Sequence, residues 1–120
     1  MKDDDLLQNL IIDLRRGTLV LAVLSCLKKS KYGYALLQDM ENQGIHIEAN
    51  TLYPLLRRLE TQGLLKSEWD TGESRPRKYY TLSKKGKSLQ EILKEEWLKM
   101  SLEMKKFLEE KDEVRDETIN

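Results

Sequence analysis

The residues of this chain with the clearest chemical capacity are the arginine and lysine side chains between residues 50 and 87. Nine basic and four acidic residues give this segment a net charge of +5, whereas the segments before and after it carry −1 and −4. Clustered guanidinium and ammonium groups bind phosphate, and arginine does so through two parallel hydrogen bonds. The segregation favours a polyanion-binding surface, although an excess of this size also arises by ordinary fluctuation. The basic residues are Arg57, Arg58, Lys66, Arg75, Arg77, Lys78, Lys84, Lys85 and Lys87.

Residues that carry enzymatic chemistry are scarce. The chain has one cysteine, Cys26, and one histidine, His46, which excludes a disulfide framework, a cysteine zinc site and most nucleophile–base pairs. Cys26 lies in an apolar run and is interpreted as a packing residue rather than a reactive thiol. His46 lies between isoleucines and is interpreted as exposed or hydrogen-bonded rather than as a ligand. We therefore expect a protein that is not an enzyme and binds neither a metal nor a cofactor.

Length and composition predict one small helical domain. The chain has 120 residues, of which 39% are apolar and 35% charged, and a chain of this size buries roughly two thirds of its unfolded surface. It contains no apolar run of the roughly 18 residues that a membrane span requires, and its acidic start lacks a signal-peptide pattern. We expect a cytoplasmic protein without a membrane partner.

Two helices joined by a short connection are predicted for residues 32–43 and 50–62, the arrangement of a helix-turn-helix. The connection, residues 45–48, is expected to form a very short strand or an extended linker. In the second helix, apolar residues recur at i, i+3, i+4 and i+7 and define an inward face, while the outward side is polar and basic. The inward residues are Leu52, Leu55, Leu56 and Leu59, and the outward ones are Asn50, Tyr53, Pro54, Arg57, Arg58 and Thr61.

The start of this second helix is assigned to Asn50 or Thr51, since either residue can serve as the N-cap. With Thr51 as the cap, Pro54 occupies the third helical position, where its missing N–H costs no intrahelical hydrogen bond. Gly44 and Gly63 are typical helix terminators and predict where the two helices end.

A β-hairpin is predicted directly after the second helix. Residues 64–69 and 78–82 are two short strand-forming runs, and the turn-rich stretch 70–77 between them contains a proline and two arginines. Trp69, at the end of the first strand, is expected to pack rather than to sense a ligand. A helix-turn-helix followed by a hairpin with a basic tip is the plan of the winged helix. The predicted fold class is therefore mainly α with a small β-hairpin.

Three further helices complete the predicted organisation. An amphipathic helix within residues 1–16 precedes an apolar, buried helix at 18–27. Ser83 caps a long last helix, in which five apolar residues are spaced 4, 3, 4 and 3, the rhythm of a coiled-coil seam. We expect this seam to pair with a second copy of the chain, and folding back onto the first helix is the alternative. The five residues are Leu93, Trp97, Met100, Met104 and Phe107.

The predicted boundaries follow from these elements. A winged helix-turn-helix domain, which includes the N-terminal helix, occupies residues 1–86, and a C-terminal dimerisation helix occupies residues 87–110. Residues 111–120 form a mostly charged tail that is expected to fray.

Several strings of this sequence, in order, resemble those of the PadR family of bacterial transcriptional regulators. The most specific are NTLYPLLRRLE at 50–60 and RPRKYY at 75–80, and the weaker ones are RGTL at 16–19, YGY at 32–34, Gly63-Leu64 and Gly86. The single short C-terminal helix is similar to that of the small subfamily, in particular its LmrR-like branch. Ser74 is a departure, because many relatives have glycine before the basic string.

The resemblance implies a homodimeric winged helix that binds operator DNA, usually as a repressor. In the members whose effectors are known, small molecules relieve this repression. Arg57 would fork to guanine and Asn50 would pair with adenine, or either would hold phosphate. A two-fold dimer would place its recognition helices about 34 Å apart on a palindromic operator. The residues assigned to DNA are Asn50, Thr51, Tyr53, Pro54, Arg57, Arg58, Arg75, Arg77 and Lys78.

Trp97 leads to a finer hypothesis about an effector. In the LmrR-like branch a tryptophan of the last helix lines a pore at the dimer centre, where flat aromatic drugs stack. Trp97 lies on the predicted seam beside Met100, so both are candidate effector-binding residues; the alternative is that Trp97 only fills the dimer interface. A winged helix can also be a protein-interaction module that never touches DNA, an alternative that the basic wing tip disfavours.

Overall fold

The computed structural model describes the backbone of residues 2–72 and 74–119 and the side chains of residues 3–72 and 74–109, so Glu73 of the predicted turn lies outside the described residues. The chain divides into two units, one reaching to Gln90 and the other starting at Glu91. No helix in the described ranges is long and apolar enough to span a membrane. The elements in chain order are α1 Lys2–Arg16, α2 Leu19–Cys26, β1 Lys31–Tyr32, α3 Gly33–Asn42, α4 Ala49–Thr61, β2 Leu65–Asp70, β3 Arg77–Leu82 and α5 Lys84–Ile119.

Apolar residues of α2, α3, α4 and the sheet form the core of the first unit. The predicted inward face of α4 is confirmed, since all four of its leucines are buried. The short apolar helix α2 supplies Val23 and Leu24 to the same core, as its apolar sequence predicts. The other buried members are Leu27, Leu36, Met40, Ile47, Leu64, Leu65, Tyr80 and Leu82.

Glycines end both α3 and α4 in the same way. Gly44 has φ of +88° and Gly63 has φ of +80°, a left-handed backbone that favours glycine. After each glycine, the next N–H reaches back five residues, from Ile45 to the carbonyl of Met40 at 2.8 Å and from Leu64 to the carbonyl of Leu59 at 2.9 Å. This is the Schellman arrangement, which satisfies carbonyls at the helix end and turns the chain sharply. It confirms that the glycines terminate both helices.

The sheet has three antiparallel strands in the order β1-β3-β2. The hairpin of β2 and β3 follows the prediction, with Leu65 opposite Leu82 at its base and Asp70 opposite Arg77 at its far end. The third strand, β1, was not predicted, because Lys31 and Tyr32 are too few to give a periodic signal. Residues 45–48, the other candidate strand, are an extended linker instead.

The predicted start of α4 is wrong. Glu48 is the N-cap and the helix begins at Ala49, so neither Asn50 nor Thr51 caps it. Pro54 consequently lies inside the helix rather than at its third position. Because proline has no N–H, the ladder bond from residue 54 to the carbonyl of Asn50 is not made.

The start of α5 is held against the end of α4 by close backbone contacts. The hydroxyl of Ser83 accepts a hydrogen bond from the N–H of Gly86 at 2.9 Å and donates one to the carbonyl of Gly63 at 2.6 Å, so Ser83 caps the helix as predicted. A side chain at Gly86 would overlap the carbonyl of Leu64. The buried Gln90 donates to the hydroxyl of Ser25 at 3.0 Å.

The far end of α5 differs from the prediction. The helix continues to Ile119, past the predicted end at 110. The physical reason lies in the sequence, which has neither glycine nor proline after Gly86, so nothing in the backbone chemistry breaks the helix there.

Replacing Gly86 with alanine is expected to lower the free energy of unfolding by about 2 kcal/mol, because the added methyl group overlaps the carbonyl of Leu64. The matched control is Gly17→Ala, where the added methyl group meets open space and where we expect a change below about 0.5 kcal/mol. Urea unfolding monitored by circular dichroism measures both. Equal losses in the two variants would contradict the steric role of Gly86.

Candidate nucleic-acid interface

The outer face of α4 presents a row of polar residues one turn apart. Asn50, Pro54 and Arg57 follow the i, i+4, i+7 spacing and are exposed, opposite the buried leucines. Thr51 and Arg58 are also exposed and lie at one margin of this row. The burial of the leucines therefore fixes which side chains α4 offers to a partner.

Tyr53 lies at the other margin and is half-buried. Its ring packs against the start of α3 so closely that a side chain at Gly33 would overlap it. Gly33 thus makes room for the ring, and α3 holds Tyr53 beside the outer face of α4.

The arginines of the predicted wing tip differ in their surroundings. Arg75 is exposed. Arg77 is half-buried, and its guanidinium carbon lies 4.5 Å from the centroid of the Tyr32 ring, a cation–π distance. The Tyr32 ring in turn meets the ring of Tyr79 edge-on, with centroids 5.6 Å apart. Strand β1, which the sequence did not reveal, therefore orients one of the two wing arginines.

Lys78 lies in a third environment. Its ammonium nitrogen is 3.2 Å from Oε1 of Glu60 in α4, and the two side chains are 29% and 32% exposed. The hydroxyl of Ser67 donates a hydrogen bond to Oε2 of the same carboxylate. These contacts lower the pKa of Glu60, chiefly through Ser67, and the bond with Glu60 raises the pKa of Lys78. Lys78 thus differs from the two arginines in being paired with a carboxylate of α4.

An open cleft of about 540 Å³ lies between the start of α3, α4 and the wing. It combines aromatic rings with cationic groups, and none of its lining residues that the structure describes is a carboxylate. Tyr34 and Trp69, which border it, are 56% and 64% exposed. The prediction that Trp69 packs is therefore wrong. The other lining residues are Tyr32, Gly33, Tyr53, Arg75, Arg77, Lys78 and Tyr80.

The turn between α3 and α4 carries the histidine. Nδ1 of His46 lies 2.8 Å from a carboxylate oxygen of Glu41, and Nε2 lies 3.0 Å from one of Glu48. The ring is 69% exposed, so His46 is both exposed and hydrogen-bonded, as predicted. The hydrogen bonds to Glu48 and Glu41 raise the pKa of His46.

Cys26 has the surroundings of a packing residue. It is half-buried against the core. Burial raises the pKa of its thiol, and the charge of Asp39 adds to this effect, whereas Lys31 opposes it. A raised pKa keeps the thiol protonated and less reactive, in line with its interpretation as a packing residue.

The second unit carries the apolar row of α5. All five residues of the predicted seam lie in α5, and their exposed fractions run from 39% at Leu93 and 44% at Trp97 to 56% at Met100 and Met104. Phe107 is 51% exposed. A row of large apolar side chains exposed to this degree is typical of a surface that another chain covers.

The sequence and the fold are similar to those of known regulators. The sequence profile of the transcriptional regulator PadR-like family matches residues 20–92. A PadR family transcriptional regulator from Eggerthella lenta shares 49% sequence identity over 90% of this chain and 96% of its own, with a TM-score of 0.85. Bacillus subtilis PadR in complex with operator DNA is 24% identical over 68% of this chain and 45% of its own, with a TM-score of 0.57.

One further relative is similar in sequence. The transcriptional regulator Rv3488 of Mycobacterium tuberculosis is 37% identical over 57 residues, which is 48% of this chain and 53% of that protein. The chain thus spans about half the length of this relative.

The imidazole of His46 is expected to titrate with a pKa above 6.5, because two carboxylates stabilise its protonated form. Its ion pairs then contribute fully to stability below pH 6.5, and this contribution is lost as pH rises through the folded-state pKa. An NMR titration of the single histidine measures the value. Glu48→Gln should lower it, and a wild-type pKa at or below 6.5 would contradict the assigned contacts.

Proposed function

The chain belongs to the PadR-like family of transcriptional regulators, and we propose that it represses transcription by binding a palindromic operator as a homodimer. Members of this family regulate transcription and are not enzymes. The winged-helix fold of this chain matches that membership. The DNA contacts, the dimer and the effector described below are parts of the proposal.

The observation that carries the proposal is the exposed polar row of α4 beside a basic wing. A helix in the major groove reads base edges with side chains from one face, and Asn50 and Arg57 occupy that face. Asparagine pairs with adenine and arginine with guanine O6 and N7. Thr51, Tyr53, Pro54 and Arg58 flank them and would contact the adjoining backbone.

The wing is proposed to supply contacts to the DNA backbone rather than to base edges in the major groove. Arg75 is exposed and Arg77 is held against Tyr32, which supports our assignment of both guanidinium groups to phosphate or the minor groove. Bacillus subtilis PadR, which shares the fold, has been crystallised with operator DNA. By analogy, we assign residues 1–86 to DNA binding.

The proposed dimer rests on α5. Its exposed apolar row repeats every 4 and 3 residues, and such a row becomes stable in water when an identical helix covers it. We assign residues 87–110 to dimerisation, with residues 111–120 as a charged continuation. A two-fold dimer would present two recognition helices to successive major grooves, which requires a palindromic site.

A flat aromatic molecule is the effector class proposed for this dimer. Trp97 is 44% exposed and lies one turn from Met100 on the seam, and these two residue types provide a flat face and an adaptable neighbour. The effector would change DNA affinity only by binding the operator-bound and free arrangements of the dimer with different affinity.

A gel shift of the purified protein on the DNA upstream of its own gene, at two salt concentrations, tests the function. A specific shift that weakens with salt is expected, because binding neutralises phosphates and releases counterions. No shift at low salt would favour the protein-interaction module over a regulator of that site.

Two arginine variants separate base reading from phosphate binding. Arg57→Ala should weaken operator binding about tenfold or more while changing binding to random DNA far less, since one bidentate base contact is worth roughly 1–3 kcal/mol. Arg75→Ala should weaken both alike and lower the slope of log K against log salt by about 0.9. Lys99→Ala, an exposed lysine of the second unit, is the control and should change neither. Equal effects of Arg57→Ala on both DNAs would contradict its role in reading bases.

The effector hypothesis is tested by fluorescence in a Trp69→Phe background, where Trp97 is the only tryptophan. Proflavine, a flat aromatic dye, is expected to quench Trp97 emission with saturation, and Met100→Ala should weaken the binding several-fold. A linear, non-saturating response would leave Trp97 as a packing residue of the interface.

A further inference from the structure

We propose that Lys78 does not contact DNA but, together with Glu60 and Ser67, is a positioning residue that sets the wing in place beside the recognition helix α4. This inference rests on the proposed DNA-binding function and refines it. It separates Lys78 from the two arginines of the same basic string.

The geometry joins three elements through one carboxylate. Oε1 of Glu60, in the last turns of α4, lies 3.2 Å from the ammonium nitrogen of Lys78 in β3. Oε2 of Glu60 accepts a hydrogen bond from the hydroxyl of Ser67 in β2. Each oxygen of Glu60 therefore holds a different strand of the hairpin. We call this set of three residues the wing tie.

The wing tie leaves Lys78 badly placed for phosphate. The lysine is 29% exposed, and its ammonium group also lies 5.3 Å from the centroid of the Tyr80 ring. If the ammonium group moved outward to a phosphate and lost Glu60, the carboxylate would face the phosphates without its partner. Removing one member of a partly buried ion pair is costly because the other charge stays behind.

Within the described ranges, neither arginine of the string is paired with a carboxylate. Arg75 is exposed, and Arg77 stacks on an aromatic ring, which leaves its N–H groups able to donate. Among the wing cations whose side chains the structure describes, Lys78 is the one paired with a carboxylate. The pKa directions of Glu60 and Lys78 agree with a pair that stays charged.

The position of the wing tie explains what it does. The chain itself connects the base of the hairpin to the end of α4. A backbone hydrogen bond from the N–H of Leu64 to the carbonyl of Leu59 lies at this connection. Lys78 lies four residues up the strand from Leu82 at that base, about 13 Å away along an extended strand. The pairing of β1 with Tyr79 and Tyr80 holds β3 from its other side, whereas the wing tie attaches the hairpin to α4 itself and so fixes its angle to that helix.

The test uses Lys78→Met and Glu60→Gln in the full chain. Operator binding is measured with both tryptophans in place, and a Trp97→Phe background is used only for the fluorescence of Trp69. Both variants should weaken operator binding about tenfold without changing the salt slope, because no phosphate contact is lost. Glu60→Gln is the decisive variant, since removing a negative charge strengthens DNA binding if only charge matters. The double variant should bind the operator no more weakly than either single variant, because each single substitution already breaks the wing tie.

Trp69 reports on the hairpin directly, since it lies opposite Lys78 in the ladder. Its emission maximum should shift in both single variants and stay unchanged in Lys66→Met, which removes an exposed lysine of β2. Circular dichroism confirms that each variant is folded.

Two results would overturn the wing tie. One is a salt slope lowered by about 0.9 in Lys78→Met together with tighter binding by Glu60→Gln, which would make Lys78 a phosphate ligand. The other is an unchanged Trp69 emission in both variants. If the wild-type protein binds no DNA at all, the proposed function fails, and the Trp69 measurement still decides whether the tie holds the hairpin.

Discussion

Burial of the leucine face of α4 is the constraint on which the rest of the first unit depends. A helix with four buried leucines on one side has no freedom to rotate, so the direction of Asn50, Pro54 and Arg57 follows from the core. The glycine terminators then fix where the chain leaves α3 and α4. Everything that flanks the outer face, including the hairpin, is placed relative to a helix whose rotation is already settled.

The parts of this fold that sequence predicts are those whose signal is local. The inward leucines of α4, the two glycine terminators and the Ser83 cap each need only a few neighbouring residues, and all were confirmed. Strand β1 escaped prediction because Lys31 and Tyr32 become a strand only by pairing with distant residues of β3. The start of α4 escaped because Glu48 caps it through the backbone, with no side-chain cap bond.

The candidate site shows the same division between local and distant information. Charge and helical periodicity placed the arginines on the outer face and wing, but they treated the basic string as uniform. Its members differ because of residues far away in the sequence, Glu60 for Lys78 and Tyr32 for Arg77. Neither partner follows a spacing rule. A string of like charges therefore gives the charge of a surface without saying which members are free to act.

The sheet has a kinetic consequence. Strand β1, directly before α3, pairs with β3 through only two residues on each side. This pairing closes a loop of about 50 residues with very few backbone hydrogen bonds. Such closure loses more chain entropy than the turns within α2, α3 and α4, which join near neighbours. The helical core is expected to form early in folding and the β1 edge last. By the same reasoning, β1 is the part of the sheet that opens first in the native protein, and with it the ring on which Arg77 rests.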